Sequence, residues 1–272
     1  MDELKAKRPL AVVTGASSGI GYHLARCAAE HGYDLLVAAD TPLADAVGDF
    51  ESLGASAQAV QCDLATTEGV MHLIQAIGDR EVEALMANAG HGLGGSFLSQ
   101  DFQDILHVIN TNITGTLNLI QHVARGMVAR AGGRILITGS IAGFQPGSFQ
   151  AVYNGSKAFI DSFALALRNE LKGTEVTVSC LMPGATDTEF FQRAGMETTK
   201  IANDPKMMME PEEVAKIGFQ AMLKGEADVV AGFKNKLQVA MSKVMPAQAA
   251  AQLHRKLAEP GTTEPTLQKD ER

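Results

Sequence analysis

Leu10-Ala11-Val12-Val13-Thr14-Gly15-Ala16-Ser17-Ser18-Gly19-Ile20-Gly21 is the stretch on which the fold turns. Leu10 to Thr14 is a short apolar run rich in β-branched residues, the pattern of a buried strand. The chain then bends through glycine and serine, and Gly19 opens a helical pattern. A strand that passes through such a turn into a helix presents free backbone N–H groups and a positive dipole end to a pyrophosphate. Gly15, Ser17, Ser18, Gly19, Ile20 and Gly21 are therefore the candidate phosphate cradle, in which the glycines let the phosphates approach. Their spacing differs from the usual dinucleotide fingerprint, so the turn by itself leaves a structural role open.

Outward from this turn the same unit recurs. Leu35 to Ala38, Ala57 to Val60, Ala84 to Ala87, Arg134 to Thr138, Val176 to Leu181 and Val229 to Ala231 read as further buried parallel strands. Between them lie helical patterns such as Phe102, Ile105, Leu106, Ile109, Ile113, Leu117 and Ile120, spaced by three and four residues. Strand alternating with helix predicts an α/β, Rossmann-type doubly wound seven-stranded parallel sheet with helices on both faces. Thr41-Pro42 and Glu210-Pro211 each put proline where a first helical turn tolerates it, with Glu212 and Glu213 complementing the second dipole. A single domain is expected over residues 1–258, its last part, 232–258, a C-terminal helical extension. Residues 259–272, rich in proline, glycine, threonine and charge, are expected to be a disordered tail.

Composition sets limits on partners. With 272 residues and 46% hydrophobic content the chain can bury a substantial core. A formal charge of -8 and a pI near 5.4 argue against non-specific binding to nucleic acid or to an anionic membrane surface. The first residues lack a signal-peptide pattern and no apolar run is long enough to span a bilayer, which points to the cytoplasm. Cys27, Cys62 and Cys180 are widely spaced and read as reduced, packed thiols. The seven histidines show no metal-ligand spacing, so no metal is implied, and His91, beside a glycine-rich loop, is the one to watch.

Asp40 follows the second strand, where an acidic side chain can accept from both ribose hydroxyls of an adenosine. A 2′-phosphate would instead meet a carboxylate there, and neither Ser18 nor Thr41 supplies positive charge to offset it. This favours NAD over NADP, and Thr41 is free to cap the next helix. Asp63, with its neighbour Leu64, follows the third strand and is placed to accept from an adenine amino group. Asn88-Ala89-Gly90 closes the fourth strand with a small-residue bend beside the nucleotide. Both are also ordinary turn formers.

Tyr153 and Lys157 stand one helical turn apart, so the ammonium can approach the phenol oxygen. A phenol titrates near pH ~10, and a fixed positive charge is expected to lower that value toward the range useful for acid/base work. Ser140 ends the fifth strand, at the carboxyl edge of a parallel sheet where ligands collect. Its hydroxyl can hold a carbonyl or alcohol oxygen.

With Thr14-Gly15-xxx-Gly19-x-Gly21, Asn88-Ala89-Gly90, Asn112, Ser140, Tyr153-xxx-Lys157 and Pro183-Gly184 in this order, the chain resembles the short-chain dehydrogenase/reductase family from about Arg8 to Ala231. The resemblance implies that Tyr153 is the acid/base and that Ser140 positions the substrate oxygen. It implies further that Lys157 holds the ribose and shifts the tyrosine, and that Asn112 supports a water-linked proton relay. The surroundings of Asn112, residues 111–116, by themselves indicate only a weakened helix. The resemblance also puts Pro183, Gly184, Thr186 and Thr188 on the nicotinamide carboxamide and makes the following segment a lid over the substrate.

That lid carries Phe190, Phe191, Met196, Met207, Met208 and Met209, and Ile141, Phe144 and Phe149 lie between Ser140 and Tyr153. Pocket lining and simple packing are equally good readings of each. Arg193 and Lys200 are the cations of the lid, thin support for a carboxylate or phosphate substrate. The expected substrate is a secondary alcohol or ketone with a hydrophobic body. Relatives use helices equivalent to those around 102–127 and 152–171 for dimerisation, which implies a homodimer or homotetramer. The extension could cap the active site, join subunits or touch a membrane. An NADP-dependent carbonyl or 3-oxoacyl-type reductase and a non-catalytic dinucleotide sensor are the competing readings.

Overall fold

In the computed structural model, which describes residues 8–264, seven parallel strands form one sheet in the order β3-β2-β1-β4-β5-β6-β7. The strands are β1 (Leu10–Thr14), β2 (Asp34–Ala39), β3 (Ala57–Gln61), β4 (Val82–Ala87), β5 (Gly133–Thr138), β6 (Val176–Met182) and β7 (Asp228–Val230). Each matches one of the apolar runs to within a residue or two at its ends.

The two-residue period of a strand sorts the core into two layers. Leu10 and Val12 face one layer together with Val70, Leu73, Leu119, Ile120 and Ile160. Ala11 and Val13 face the other, with Leu24, Phe50 and Phe219. The first layer is covered by α3 (Thr67–Ile77), α5 (Thr116–Ala129) and α6 (Ala151–Glu170), with α4 (Phe102–Ile109) beside α6. The second is covered by α1 (Gly19–Glu30), α2 (Ala44–Ser52) and α9 (Pro211–Lys224). Phe50 and Phe219 are fully buried, each contributing about 1.5–3 kcal/mol through apolar burial. The doubly wound prediction is therefore met.

β1 pairs with β2 on one side and β4 on the other, Thr14 lying opposite Ala38 and Val13 opposite Met86. The winding direction reverses at β1, so a crevice opens beyond the carboxyl ends of β1, β4 and β5, which is where open α/β sheets take their ligands.

The weak helix around Asn112 is a π-helical turn, Asn110–Gly115, between α4 and α5. A Cβ on Gly115 would overlap the Leu64 carbonyl oxygen, so glycine is what lets this wider turn pack on the β3–α3 loop.

Two expectations change. Thr41 does not cap α2; its hydroxyl donates to Ser17 Oγ at 2.8 Å, and α2 starts after Leu43, beyond Pro42. Pro211, by contrast, does occupy the first turn of α9. The first residues of the expected tail have partners: the Thr262 and Thr263 N–H groups donate to the Thr198 carbonyl, and Asn203 Nδ2 donates to Thr263 Oγ1. Backbone and threonine groups with partners in reach satisfy one another there despite the low apolar content. Residues 265–272 of the expected tail lie outside the described residues.

Two short helices, α7 (Phe190–Arg193) and α8 (Lys200–Asn203), lie between β6 and α9, and α10 (Phe233–Ser242) and α11 (Ala247–Ala258) follow β7. Among the described residues no helix is long and apolar enough to cross a membrane.

Candidate active site

The crevice holds a cavity of about 510 Å³, within the usual range for a small-molecule site. Gly15, Ser17, Ser18, Gly19 and Ile20 line one side of it, and Ser140, Tyr153 and Lys157 line the other. Ser18 stands at the N-cap of α1 without a side-chain capping bond, and no acidic residue occupies the first turn. By contrast α3 is capped by Thr66 and α4 by Asp101. The α1 N-terminus is thus left for an anion from outside. Gly21 supports the turn from beneath, where a Cβ would overlap the Gly15 carbonyl oxygen.

Asn88 straps the sheet edge. Its backbone N–H donates to Thr14 Oγ1 at 3.0 Å, its Nδ2 to the Thr14 carbonyl at 3.2 Å, and its Oδ1 accepts from Thr138 Oγ1 at 3.0 Å. Ala89 N–H donates to the same Thr14 hydroxyl. These bonds commit the Asn88 side chain to β1 and β5 while its bend, through Ala89 and Gly90, forms the cavity floor.

Asp40, Asp63, Leu64, Ala89, Gly90 and His91 line a smaller adjoining cavity. Asp63 Oδ1 accepts from Ala65 N–H. Asp40 carries a partner that the sequence did not indicate: Arg193 Nη2, from α7, lies 2.5 Å from its Oδ2.

At the other end of the larger cavity, Ser140 Oγ accepts from Ala142 N–H at 3.1 Å and faces the Pro183 carbonyl at 3.4 Å. Tyr153 is buried on the first turn of α6, its ring 5.1 Å from that of Phe190. Burial pushes its phenol up to about 12; the Ser140 hydroxyl pulls it down and the Asp161 charge pushes it further up. The expected lowering by Lys157 is therefore overturned in this state, because desolvation of a phenolate outweighs the other effects. Lys157 is buried too, its ammonium donating to the Thr138 carbonyl at 2.9 Å. Burial pulls the ammonium below its ordinary value and Asp161 acts against that.

Asp161 was not among the sequence-predicted residues. It sits four residues after Lys157 and accepts from Ser140 N–H at 3.2 Å; burial raises its carboxyl to about 6. The helical spacing Tyr153, Lys157, Asp161 was the available signal.

Asn112 has both ends of its amide engaged. Oδ1 accepts from His91 N–H at 2.7 Å, while Nδ2 donates to the His91 carbonyl at 3.0 Å and to Ser156 Oγ at 2.9 Å. It fastens the loop after β4 to α6. A Cβ on Gly90 would lie 3.4 Å from both Asn112 Oδ1 and Lys157 Nζ, which marks how closely these groups converge.

Pro183, Gly184, Thr186 and Thr188 line the same cavity. Thr186 Oγ1 donates to the Gly184 carbonyl, and Phe190 N–H donates to Thr188 Oγ1. The apolar set is shared between the cavity and the core, with Phe190 and Met208 lining the cavity while packing against the satellite core. Phe190, Met207, Met208, Met209 and Ile141 line the cavity, whereas Met196 is fully buried in a satellite core with Ala194 and Ala258. Phe191 borders both, and Phe144 and Phe149 stand outside the lining, beneath Lys243 and Arg255. The extension forms part of the cavity wall through Phe233, Asn235, Gln238 and His254. His254 is held by a 3.0 Å contact between Nδ1 and the Ser148 carbonyl.

The short chain dehydrogenase family model matches residues 9–198. An uncharacterized oxidoreductase of Myxococcus xanthus is 30% identical over 242 residues, covering 87% of this chain and 92% of that protein. The ketoacyl reductase HetN of Nostoc sp. strain PCC 7120 is 28% identical, covering 86% and 82%. Among solved structures, a short-chain dehydrogenase from Sphingobium yanoikuyae in complex with NADPH superposes with a TM-score of 0.77 at 28% identity, covering 90% of this chain and 99% of that one.

Proposed function

The chain is an oxidoreductase of the short-chain dehydrogenase family, and from that premise we propose that it interconverts a hydrophobic secondary alcohol and its ketone with NAD as the preferred cofactor. What carries this reading is the lining of one cavity by the α1 turn, Ser140 and Tyr153, with Phe190 and Met207 to Met209 around the space beyond. The dinucleotide fits the residues present: an N-terminus without a side-chain cap for the pyrophosphate, Asp40 for the ribose hydroxyls, and the backbone of 183–188 for the carboxamide.

Bound there, the nicotinamide supplies or accepts the hydride. Ser140 orients the substrate oxygen toward the Tyr153 phenol. In reduction the phenol gives its proton to that oxygen; in oxidation the phenolate takes the proton of the alcohol. Lys157, held by the Thr138 carbonyl, offers a fixed positive charge beside the phenolate as it forms. Asn112 acts as a positioning residue that keeps His91 and Ser156 in register. Phe190 shields the phenol from water.

The test is nicotinamide absorbance against a panel of hydrophobic ketones and secondary alcohols with NAD(H) and NADP(H), run beside Tyr153→Phe. Turnover that disappears in the variant supports the proposal; turnover of strongly anionic substrates alone overturns the substrate class. A 3-oxoacyl thioester belongs in the panel, because the HetN relative is named a ketoacyl reductase and Lys206 and Lys234 line the cavity as cations that such an acyl carrier could meet.

A further inference from the structure

The lid reaches further than the substrate. Between Thr188 and Ala194 it runs across the glycine-rich turn from one end of the nucleotide site to the other. A Cβ on Gly19 would lie 2.9 Å from the Thr188 methyl, and Gly94 N–H donates to the Ala194 carbonyl at 2.8 Å, which ties the far end of α7 to the loop after β4. Arg193 is thereby delivered to Asp40. Of the arginines and lysines among the described residues, it is the one that lines the adenosine-end cavity, and it lines the larger cavity as well.

We infer that Arg193 determines cofactor specificity by reading the 2′-substituent of the adenosine ribose across its ion pair with Asp40. This deepens the dinucleotide reading above and rests on it. Asp40 alone would repel a 2′-phosphate. Arg193 offsets the Asp40 carboxylate, while Asp63, which lines the same cavity, faces His107 at 4.0 Å, and the guanidinium brings five N–H donors of which one nitrogen, Nη2, is engaged with the carboxylate. The remaining donors match a phosphate in geometry and charge. Both side chains are more than a third exposed, 37% for Arg193 and 38% for Asp40, so the pair is weak and reorganises readily around a ligand. A ribose with a free 2′-hydroxyl uses Asp40, and a 2′-phosphorylated one uses Arg193. The arginine therefore belongs to the cofactor end of the cleft rather than to an anionic substrate.

Binding of 5′-AMP and of 2′,5′-ADP, measured by calorimetry, isolates this end of the site and needs no turnover. In Arg193→Ala the affinity for 2′,5′-ADP should fall by about 10-fold or more, the loss of one charge-assisted contact, while 5′-AMP changes little. The wild-type affinity for 2′,5′-ADP should also weaken more steeply with added salt than that of the variant. Asp40→Asn should do the opposite to Arg193→Ala, tightening 2′,5′-ADP and weakening 5′-AMP. Equal losses for both nucleotides in Arg193→Ala, or no change in either, would overturn the inference and leave the dinucleotide reading intact. Wild-type protein that bound neither NAD(H) nor NADP(H) would overturn both.

Discussion

The Lys157 ammonium donates to the Thr138 carbonyl at 2.9 Å, while its distance to the Tyr153 ring centroid is 5.9 Å. Lysine is thus anchored to the end of β5, and its influence on the phenol is that of a charge held at fixed position. Tyr153→Phe removes the proton donor and Lys157→Met removes the charge with little change of volume. Each should lower kcat by about 10²-fold or more, the usual range for a positioned acid/base, with circular dichroism and Tm of Tyr153→Phe close to wild type.

The pH dependence follows from a phenol pushed up to about 12. Below that value the proton stays on Tyr153, so reduction, which consumes it, should be nearly flat through neutral pH and fall only in strong alkali. Oxidation needs the phenolate and should rise with pH. Initial rates in both directions across a buffer series check the signs; oxidation rates that decline from pH 7 to 9 would contradict them.

Asp161 bears on stability. Its carboxyl is raised to about 6 in the folded chain from an ordinary value of 3.8. A group raised in this way contributes stability that is fully present below the unfolded value and is lost as pH rises through the folded one. Relative to Asp161→Asn, wild-type protein should therefore lose about 2 kcal/mol between pH ~4 and ~6. Urea unfolding of the two proteins at both pH values measures the difference.

Asp40→Arg replaces the acceptor of the ribose hydroxyls with a phosphate-binding cation beside Arg193. The Kd ratio should swing toward NADP by about 10-fold or more. An unchanged ratio would remove Asp40 from the cofactor site.

Two glycines give opposite outcomes. In Gly21→Ala the new methyl would overlap the Gly15 carbonyl oxygen, so about 1–3 kcal/mol of stability should be lost to overpacking along with dinucleotide affinity. Gly155 lies in α6 between Tyr153 and Lys157, and an alanine methyl there would have nothing within 4 Å of it beyond its own helix backbone and chain neighbours. Gly155→Ala should raise stability by about 0.5–1 kcal/mol. Thermal unfolding resolves both.

What could be read in the sequence was local or periodic. The seven strands followed from short apolar runs, the α1 turn from glycine spacing, and the Tyr153–Lys157 pair from helical geometry, because each depends on neighbours within a few residues. Even the π-helical turn at Asn110–Gly115 was foreshadowed as a weakness of its helix. Where side chains could reach distant elements, the same reasoning had nothing to decide between partners. Thr41 turned to Ser17 instead of its own helix, Met196 went into a satellite core while Met207 to Met209 stayed in the cleft, and the start of the tail bonded to Thr198.

By itself, then, the sequence determined the sheet, the helices on its two faces, the glycine turn and the order of the candidate catalytic residues, since backbone periodicity and near-neighbour chemistry suffice for these. Only the tertiary structure decided that the Tyr153 phenol is held protonated by burial, that Asp161 lies behind Ser140 and Lys157, and that Arg193 meets Asp40 from 153 positions away. Desolvation and charge pairing depend on what surrounds a group in space, and the surroundings of these groups come from separate strands, helices and the segment after β6 that the fold brings together.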